Sequence, residues 1–424
     1  MAFQIEDCEP LETCYGNNPV SPYLLFNLPP HPDHPTALPP SALRDLEGFE
    51  GMSPAAFLAD NEAFLIRGRL PPAARYVGFT PYLFTREGAE EEIVTTFASL
   101  TDTLNHVNLS TGTESPFDAE VAIIVTSDAD TLDAARAMLE EEGTPADIIN
   151  EVILPRDALH LGFDDADDTV MLLGRIALFE DASAGEAYLS NVPLDVSRLT
   201  PADGHTGDAL AVADRLPRGD GVTEDPLEDA LDALEEAIAS SLSDREYEPV
   251  VITSSAFVAA VISPELCMDQ VSECLGDNAD TTYAAGPIDV ARGDGALTLG
   301  PDASFIVFGV NHEASGKAEY SNMSVYAAEK QMGVISLNSP DMPGTADRYL
   351  PDHPLRDQLF ATEIRRDCTG RQGCMVLPET FPGVGLEEDL FFIFRAYINP
   401  GLSVSPAHSE LLTERVFLVP DAPD

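Results

Sequence analysis

Two stretches of this chain present their residues in the same order, and that order limits what the chain can fold into. Residues 63–82 read AFLIRGRLPPAARYVGFTPY, and residues 304–326 read SFIVFGVNHEASGKAEYSNMSVY. Each opens with an apolar run ending at a glycine, Gly68 or Gly309. Each then reaches Ala-x-Tyr and a second tyrosine six residues on: Ala74, Tyr76 and Tyr82, then Ala318, Tyr320 and Tyr326. β-Branched and aromatic runs bounded by turn residues read as strands, and a shared order over two stretches reads as a repeat. Further matches keep the order. Upstream, Tyr15-x-x-x-Pro19 pairs with Tyr283-x-x-x-Pro287, with two cysteines before each. Downstream, Ser99-Leu100 pairs with Ser336-Leu337. DDTVMLLGRIALF (167–179) pairs with EEDLFFIFRAYI (387–398), each with one arginine, Arg175 or Arg395, inside an apolar strand. The expected class is α+β, mainly β: two duplicated β-sandwich or jelly-roll-like lobes with a few helices.

Helical periodicity is confined to a few segments. DTLDAARAMLEEE (130–142) reads as a helix after an Asp cap, and GTPADIINEVI holds a shorter one. In residues 226–243, Leu227, Leu231, Leu234, Ile238 and Leu242 form one stripe, with Thr223 or Asp225 as the cap. The Gly- and Asp-rich stretch 201–225 reads as a linker. The expected division is therefore a first β-rich lobe over 1–220, a linker and amphipathic helix over 221–248, and a second β-rich lobe over 249–424. Eight prolines in 19–40 require an extended arm, expected over the second lobe.

Charge excludes whole classes of partner. Asp plus Glu number 74 against 22 Lys plus Arg, a formal charge of −52. Long-range repulsion opposes binding of nucleic acid or an anionic membrane surface. A hydrophobic fraction of 44% still provides a core. No apolar run reaches the ~18 residues a spanning helix needs. MAFQIEDCEPLETC shows no basic segment leading into an apolar one, so no secretory leader is read there. The six cysteines fall in three close pairs: Cys8 and Cys14, Cys267 and Cys274, Cys368 and Cys374. Their spacing is wider than zinc pairs use, so three local disulfides and an oxidising compartment are expected. Secreted or extracellular location follows. The alternative is the cytoplasm of a salt-accumulating halophile, whose surface such a charge would suit.

Only two of the cations are lysines, Lys317 and Lys330. Lys317 lies in a loop that the second stretch has and the first lacks, with Asn311 and His312. The expected site is a cleft between the lobes that accepts a small anionic molecule. His312 serves as acid or base, Tyr320 assists proton transfer, and Lys317 holds negative charge. Arg67, Arg69 and Arg75, with Asn311 and Asn322, bind the substrate. The function expected is a cofactor-independent hydrolase or lyase acting on a small organic anion or carbonyl compound. One alternative is a secreted, disulfide-stabilised binding or surface protein loaded with Ca²⁺, for which Asp164, Asp165, Asp167 and Asp168 offer oxygen ligands. Another is a metalloenzyme with Zn²⁺ on His31 and His34. GxSxG, phosphate-loop, HExxH and GxGxxG motifs are absent. Ser254 and Ser255 lack the setting of a nucleophile.

Overall fold

Strand residues alternate faces, and in one sheet of this protein that alternation turns one face to a core and the other to a helix. The structure is a computed structural model describing residues 1–39, 43–44, 46, 48–253, 263–289, 294–295 and 297–421. Ser254 and Ser255 lie outside the described residues. The chain divides into two units. The first comprises Met1–Phe3, Ser21–Leu216 and Ala260–Asn278; the second comprises Gln4–Val20, Pro217–Ala259 and Ala279–Asp424. The proline-rich segment from Ser21 onward belongs to the first unit, where Tyr23–Leu25 is a strand of one of its sheets.

The first unit holds β1 (Ala2–Phe3), β2 (Tyr23–Leu25), β3 (Ala55–Phe57), β4 (Ala63–Arg69), β5 (Ala74–Glu87), β6 (Ile93–Ser99), β7 (Leu104–Asn105), β8 (Glu120–Thr126), β9 (Ile149–Ile153), β10 (Thr169–Phe179) and β11 (Leu194–Leu199). One sheet runs β1-β2-β10-β5-β6, with β3 on β10 and β7 on β5; the other runs β11-β4-β8-β9. Phe64, Ile66, Val121, Ile123 and Val125 of the second sheet share a core with Val77, Phe79, Leu83, Val170 and Ile176 of the first. The alternate residues Ala63, Leu65, Ala122 and Ile124 face the other way and pack against helix α1 (Ala129–Glu141) through Leu132, Ala135 and Leu139. A second helix, α2, spans Ala182–Ser190.

The second unit holds β12 (Glu248–Val250), β13 (Thr281–Gly286), β14 (Ile288–Asp289), β15 (Asp294–Gly295), β16 (Ser304–Val310), β17 (Tyr320–Ala327), β18 (Met332–Asn338), β19 (Leu359–Arg365), β20 (Cys374–Val376), β21 (Leu390–Tyr397) and β22 (Arg415–Val419). Its sheets run β12-β22-β16-β19-β20 and β13-β21-β17-β18, with β14 and β15 as a separate ribbon. Helix α3 (Glu228–Ser241) lays Leu231, Leu234 and Ile238 on Ile306, Phe308, Leu359 and Phe417. The mainly-β class of α+β fold with few helices is therefore present. In each unit one sheet ends in a parallel pair, β8 with β9 and β19 with β20.

Three expectations are corrected. GTPADIINEVI is a single 3₁₀ turn, Ala146–Ile148, leading into β9, because its apolar residues pair with β8 instead of forming a helical stripe. The helix after 226 has neither Thr223 nor Asp225 as cap, since the 3₁₀ turn Asp225–Leu227 precedes it. The expected match of Tyr15 with Tyr283 is the third. Tyr15 and Leu275 both have positive φ, at 53° and 55°, and each is followed by a positive-φ glycine, Gly16 or Gly276. Cys14-Tyr15-Gly16 thus has the same backbone form as Cys274-Leu275-Gly276. Arg175 lies over the rings of Tyr23 and Tyr82, and Arg395 over those of Tyr283 and Tyr326, so the setting of Tyr283 is like that of Tyr23 and not that of Tyr15. Cys8–Cys14, Cys267–Cys274 and Cys368–Cys374 are all disulfides, the arrangement of an oxidising environment. No helix among the described residues is long and apolar enough to cross a membrane.

Candidate functional site

The loop that singled out Lys317 is folded inward. After β16 it turns on Asn311, whose Nδ2 donates to the Ser339 carbonyl at 3.0 Å and whose Oδ1 accepts the Glu313 N–H. This delivers His312 between two carboxylates, with Nδ1 2.8 Å from Glu224 and Nε2 3.1 Å from Glu414. Burial alone would lower the His312 pKa, but the two carboxylates outweigh it and raise it to about 10. His312 is therefore an imidazolium with both nitrogens engaged. Glu224 is also buried, which favours its neutral form, yet His312 and Ser315 hold it below the usual carboxylate range. Lys317 is equally occupied: Nζ donates to Asp220 at 2.7 Å and to Glu410 at 2.8 Å. Its pKa is raised because these partners outweigh desolvation. A cavity of 20 Å³ beside His312 and Glu414 admits about one water.

The other expected site residues are dispersed. Tyr320 is fully buried and donates to Asn338 Oδ1 at 2.9 Å; burial, then Tyr397, pushes its hydroxyl well above the usual tyrosine value. Asn322 donates to Asn18 Oδ1 at 2.9 Å and to Ser336. In the first unit, Arg67 pairs with Glu142 at 2.6 Å, and Arg69 with Glu120 at 3.4 Å and Asp118 at 3.9 Å. Arg75 is exposed. The His34 ring stacks on Phe163 with centroids 4.3 Å apart, and His31 tilts against the same ring at 4.8 Å. His31 Nδ1 accepts the Asp33 N–H. Asp168 is taken by Arg86, at 2.9 Å to Nε and 2.6 Å to Nη2. Among the described residues, no three His, Cys, Asp or Glu side chains are grouped to hold a metal ion.

A different place in the first unit has the shape of a ligand site. Helix α1 follows β8 directly and lies on the β8 side of its sheet. The flank of α1 toward β11 is left as a groove of 530 Å³. Its apolar wall is Ala134, Ala135 and Met138 from the helix, with Leu199 and Pro201 opposite; its polar positions are Asp130, Thr131, Arg198, Thr200, Asp203 and His205. The walls are fixed from behind. Asp128 caps α1 by accepting the Thr131 N–H at 2.8 Å. Burial opposes the Asp128 charge, but that bond and Arg156 at 2.8 Å hold its pKa below the ordinary value. Arg156 also donates to the Gly207 carbonyl at 3.0 Å. Gly207 leaves no room for a side chain: a Cβ there would lie 2.9 Å from the Asp130 backbone nitrogen. Asn61 holds the His205 carbonyl at 2.9 Å.

On the far side of the sheet, fully buried Glu62 anchors the end of β11 by accepting from Arg198 at 2.7 Å and Thr200 at 2.6 Å. Arg198 is opposite Phe64 in register, so its guanidinium is on the core face, away from α1. Two exposed ion pairs stand at the ends of the helix: His205 with Asp130 at 3.1 Å, and Arg67 with Glu142. Sequence reasoning placed α1 but missed the groove, because it read 201–225 as a linker. The available signal was the narrow stripe of α1, Leu132, Ala135 and Leu139, which leaves Ala134 exposed and Met138 only partly buried at the edge of that core.

No protein-family model matches the chain, and no curated protein matches it. Among solved structures, an uncharacterized protein from Burkholderia cenocepacia is similar with a TM-score of 0.40 and 12% identity, over 95% of this chain and 77% of that one. The VPA0106 protein from Vibrio parahaemolyticus is similar with a TM-score of 0.38 and 11% identity, over 86% of this chain and 88% of that one. Likeness at this level identifies no function.

Proposed function

We propose that the chain is a secreted, disulfide-stabilised binding protein that seats a small, largely apolar molecule in the groove beside α1. The observation that carries this reading is the groove itself: 530 Å³ falls within the roughly 300–1,000 Å³ of small-molecule sites, and its apolar walls with a few polar groups fit that class. One wall is helix α1 and the other is the end of β11 with the turn that follows it, and hydrogen bonds anchor both, which pre-organises them. This reading is preferred to a hydrolase or lyase built on His312, Lys317 and Tyr320. Two of those groups are each neutralised by a pair of carboxylates, and the adjoining cavity has no room for a substrate. The parallel strand pairs and the matching arginine–tyrosine stacks support reading the two units as a duplication in which the first acquired the groove.

The test uses a neutral apolar dye, Nile red. Saturable uptake at one dye per chain is expected. Ala134→Trp should abolish it, because Ala134 is an exposed helical position whose enlargement fills the groove without touching the core. The chain has no other tryptophan, so the new indole also reports on the groove. Dye uptake that is unchanged in this variant, with its helix content intact, contradicts the proposal.

A further inference from the structure

The groove offers its ligand negative charge and little else that is uncommitted. Asp130 and Asp203 line it beside the apolar wall. Asp203 accepts the His205 N–H through Oδ1 at 3.1 Å, and Asp130 meets the His205 ring. The two lining hydroxyls are already donating, Thr131 to the Asn61 carbonyl at 2.8 Å and Thr200 to Glu62 at 2.6 Å. The nearby cations are also committed. Arg156 is bound to Asp128, and the Arg198 guanidinium is tied to Glu62 on the opposite face of the sheet. Arg198 and His205 are the cationic residue types among the residues lining the groove; the Arg198 guanidinium is held by Glu62 and His205 already faces Asp130. An anion would find no free cation, and the −52 charge of the chain repels anions while concentrating cations at its surface. The positive end of α1 would oppose a cation there, but Asp128 caps that end.

We propose that the polar end of the ligand is an ammonium group seated on Asp130 and Asp203, with an alkyl or aryl body along Ala134, Met138 and Leu199. The ammonium takes the place of the exposed His205 ring as the partner of Asp130. This inference rests on the groove reading and narrows it from any small apolar molecule to an amphiphilic amine.

Three probes of equal length separate the outcomes: n-octylamine, n-octanol and n-octanoate, each displacing Nile red from the intact chain at neutral pH and low salt. The amine should bind at least about tenfold more tightly than the alcohol, and the octanoate most weakly. The double variant Asp130→Asn with Asp203→Asn should erase the advantage of the amine and leave octanol unchanged. Asp352→Asn, an exposed acid of the second unit, should change nothing. Octanol binding as tightly as the amine would overturn the ammonium seat and leave the groove reading standing. Failure of all three probes would overturn both. An advantage that survives the double variant, or falls equally with Asp352→Asn, belongs to the general field of an acidic protein and also overturns the seat.

Discussion

Arg175 donates from Nη2 to the carbonyl oxygen of Gly276 at 3.0 Å, joining the middle of β10 to the residue two places after Cys274. Arg395 does the same in the second unit, donating from Nη2 to the Gly16 carbonyl at 3.1 Å, two places after Cys14. In both, a tyrosine hydroxyl binds the next carbonyl: Tyr82 to Asp277 at 2.7 Å and Tyr326 to Asn17 at 2.6 Å. A buried guanidinium and a phenol thus clamp the segment that follows a disulfide in each unit.

Removing either guanidinium should therefore cost stability. Arg175→Met and Arg395→Met each leave a buried carbonyl short of a charged donor, a loss of about 2–3 kcal/mol. Arg67→Ala breaks a pair in which both side chains are about half exposed and should cost less than ~1 kcal/mol. Urea denaturation of the three variants checks the ranking; equal losses would refute the clamp.

His312→Gln should be among the most damaging single changes outside the apolar core. It leaves Glu224 and Glu414 buried without the cation between them, and breaking a buried pair costs about 3–5 kcal/mol. A loss below ~1 kcal/mol in the same urea assay would show that the cluster is not an electrostatic staple.

The same cluster fixes the direction of pH dependence. His312 has a folded pKa of about 10 against an ordinary 6.5. Its contribution is complete below about 6.5 and is lost as pH rises toward 10. Glu224 is shifted downward from 4.5, so its contribution is complete above that value and is lost as pH falls below it. Melting temperature should be highest between about pH 5 and 6.5 and should fall on both sides. His312→Gln should flatten the alkaline limb, and an unchanged limb would contradict the assignment.

All six cysteines are paired, so denatured, unreduced protein should show no thiol by titration and a mass six hydrogens below the reduced form. The loops are short, and each bridge should stabilise by about 2 kcal/mol through the unfolded chain. Six titratable thiols would remove the case for an oxidising environment.

Much of this was legible in the residues. β-Branched and aromatic runs bounded by turn residues identified β4, β5, β10, β16, β17 and β21, and the leucine stripe identified α3, because burial selects such runs in strands and imposes a period on a helix. The cysteine pairs were read correctly from spacing alone. Partner choice was not legible. His312, Lys317 and Tyr320 were found as a polar cluster, but the carboxylates that occupy the first two, Glu224, Glu414, Asp220 and Glu410, are about 90 residues or more away in sequence. The groove was hidden for a related reason. A concavity depends on where α1 stops covering its sheet, and local composition does not encode that. Residues 201–207 looked like a linker because Gly and Asp also suit a turn packed against a helix end.

The most direct test of the account is the methyl NMR spectrum of the nine methionines, recorded during titration with n-octanol and with n-octylamine. Met138 is the one methionine lining the groove. The account predicts that its methyl resonance moves saturably with at least one of these probes while the others hold still. A Met138 resonance that stays fixed while both probes bind elsewhere, or fail to bind, would contradict it.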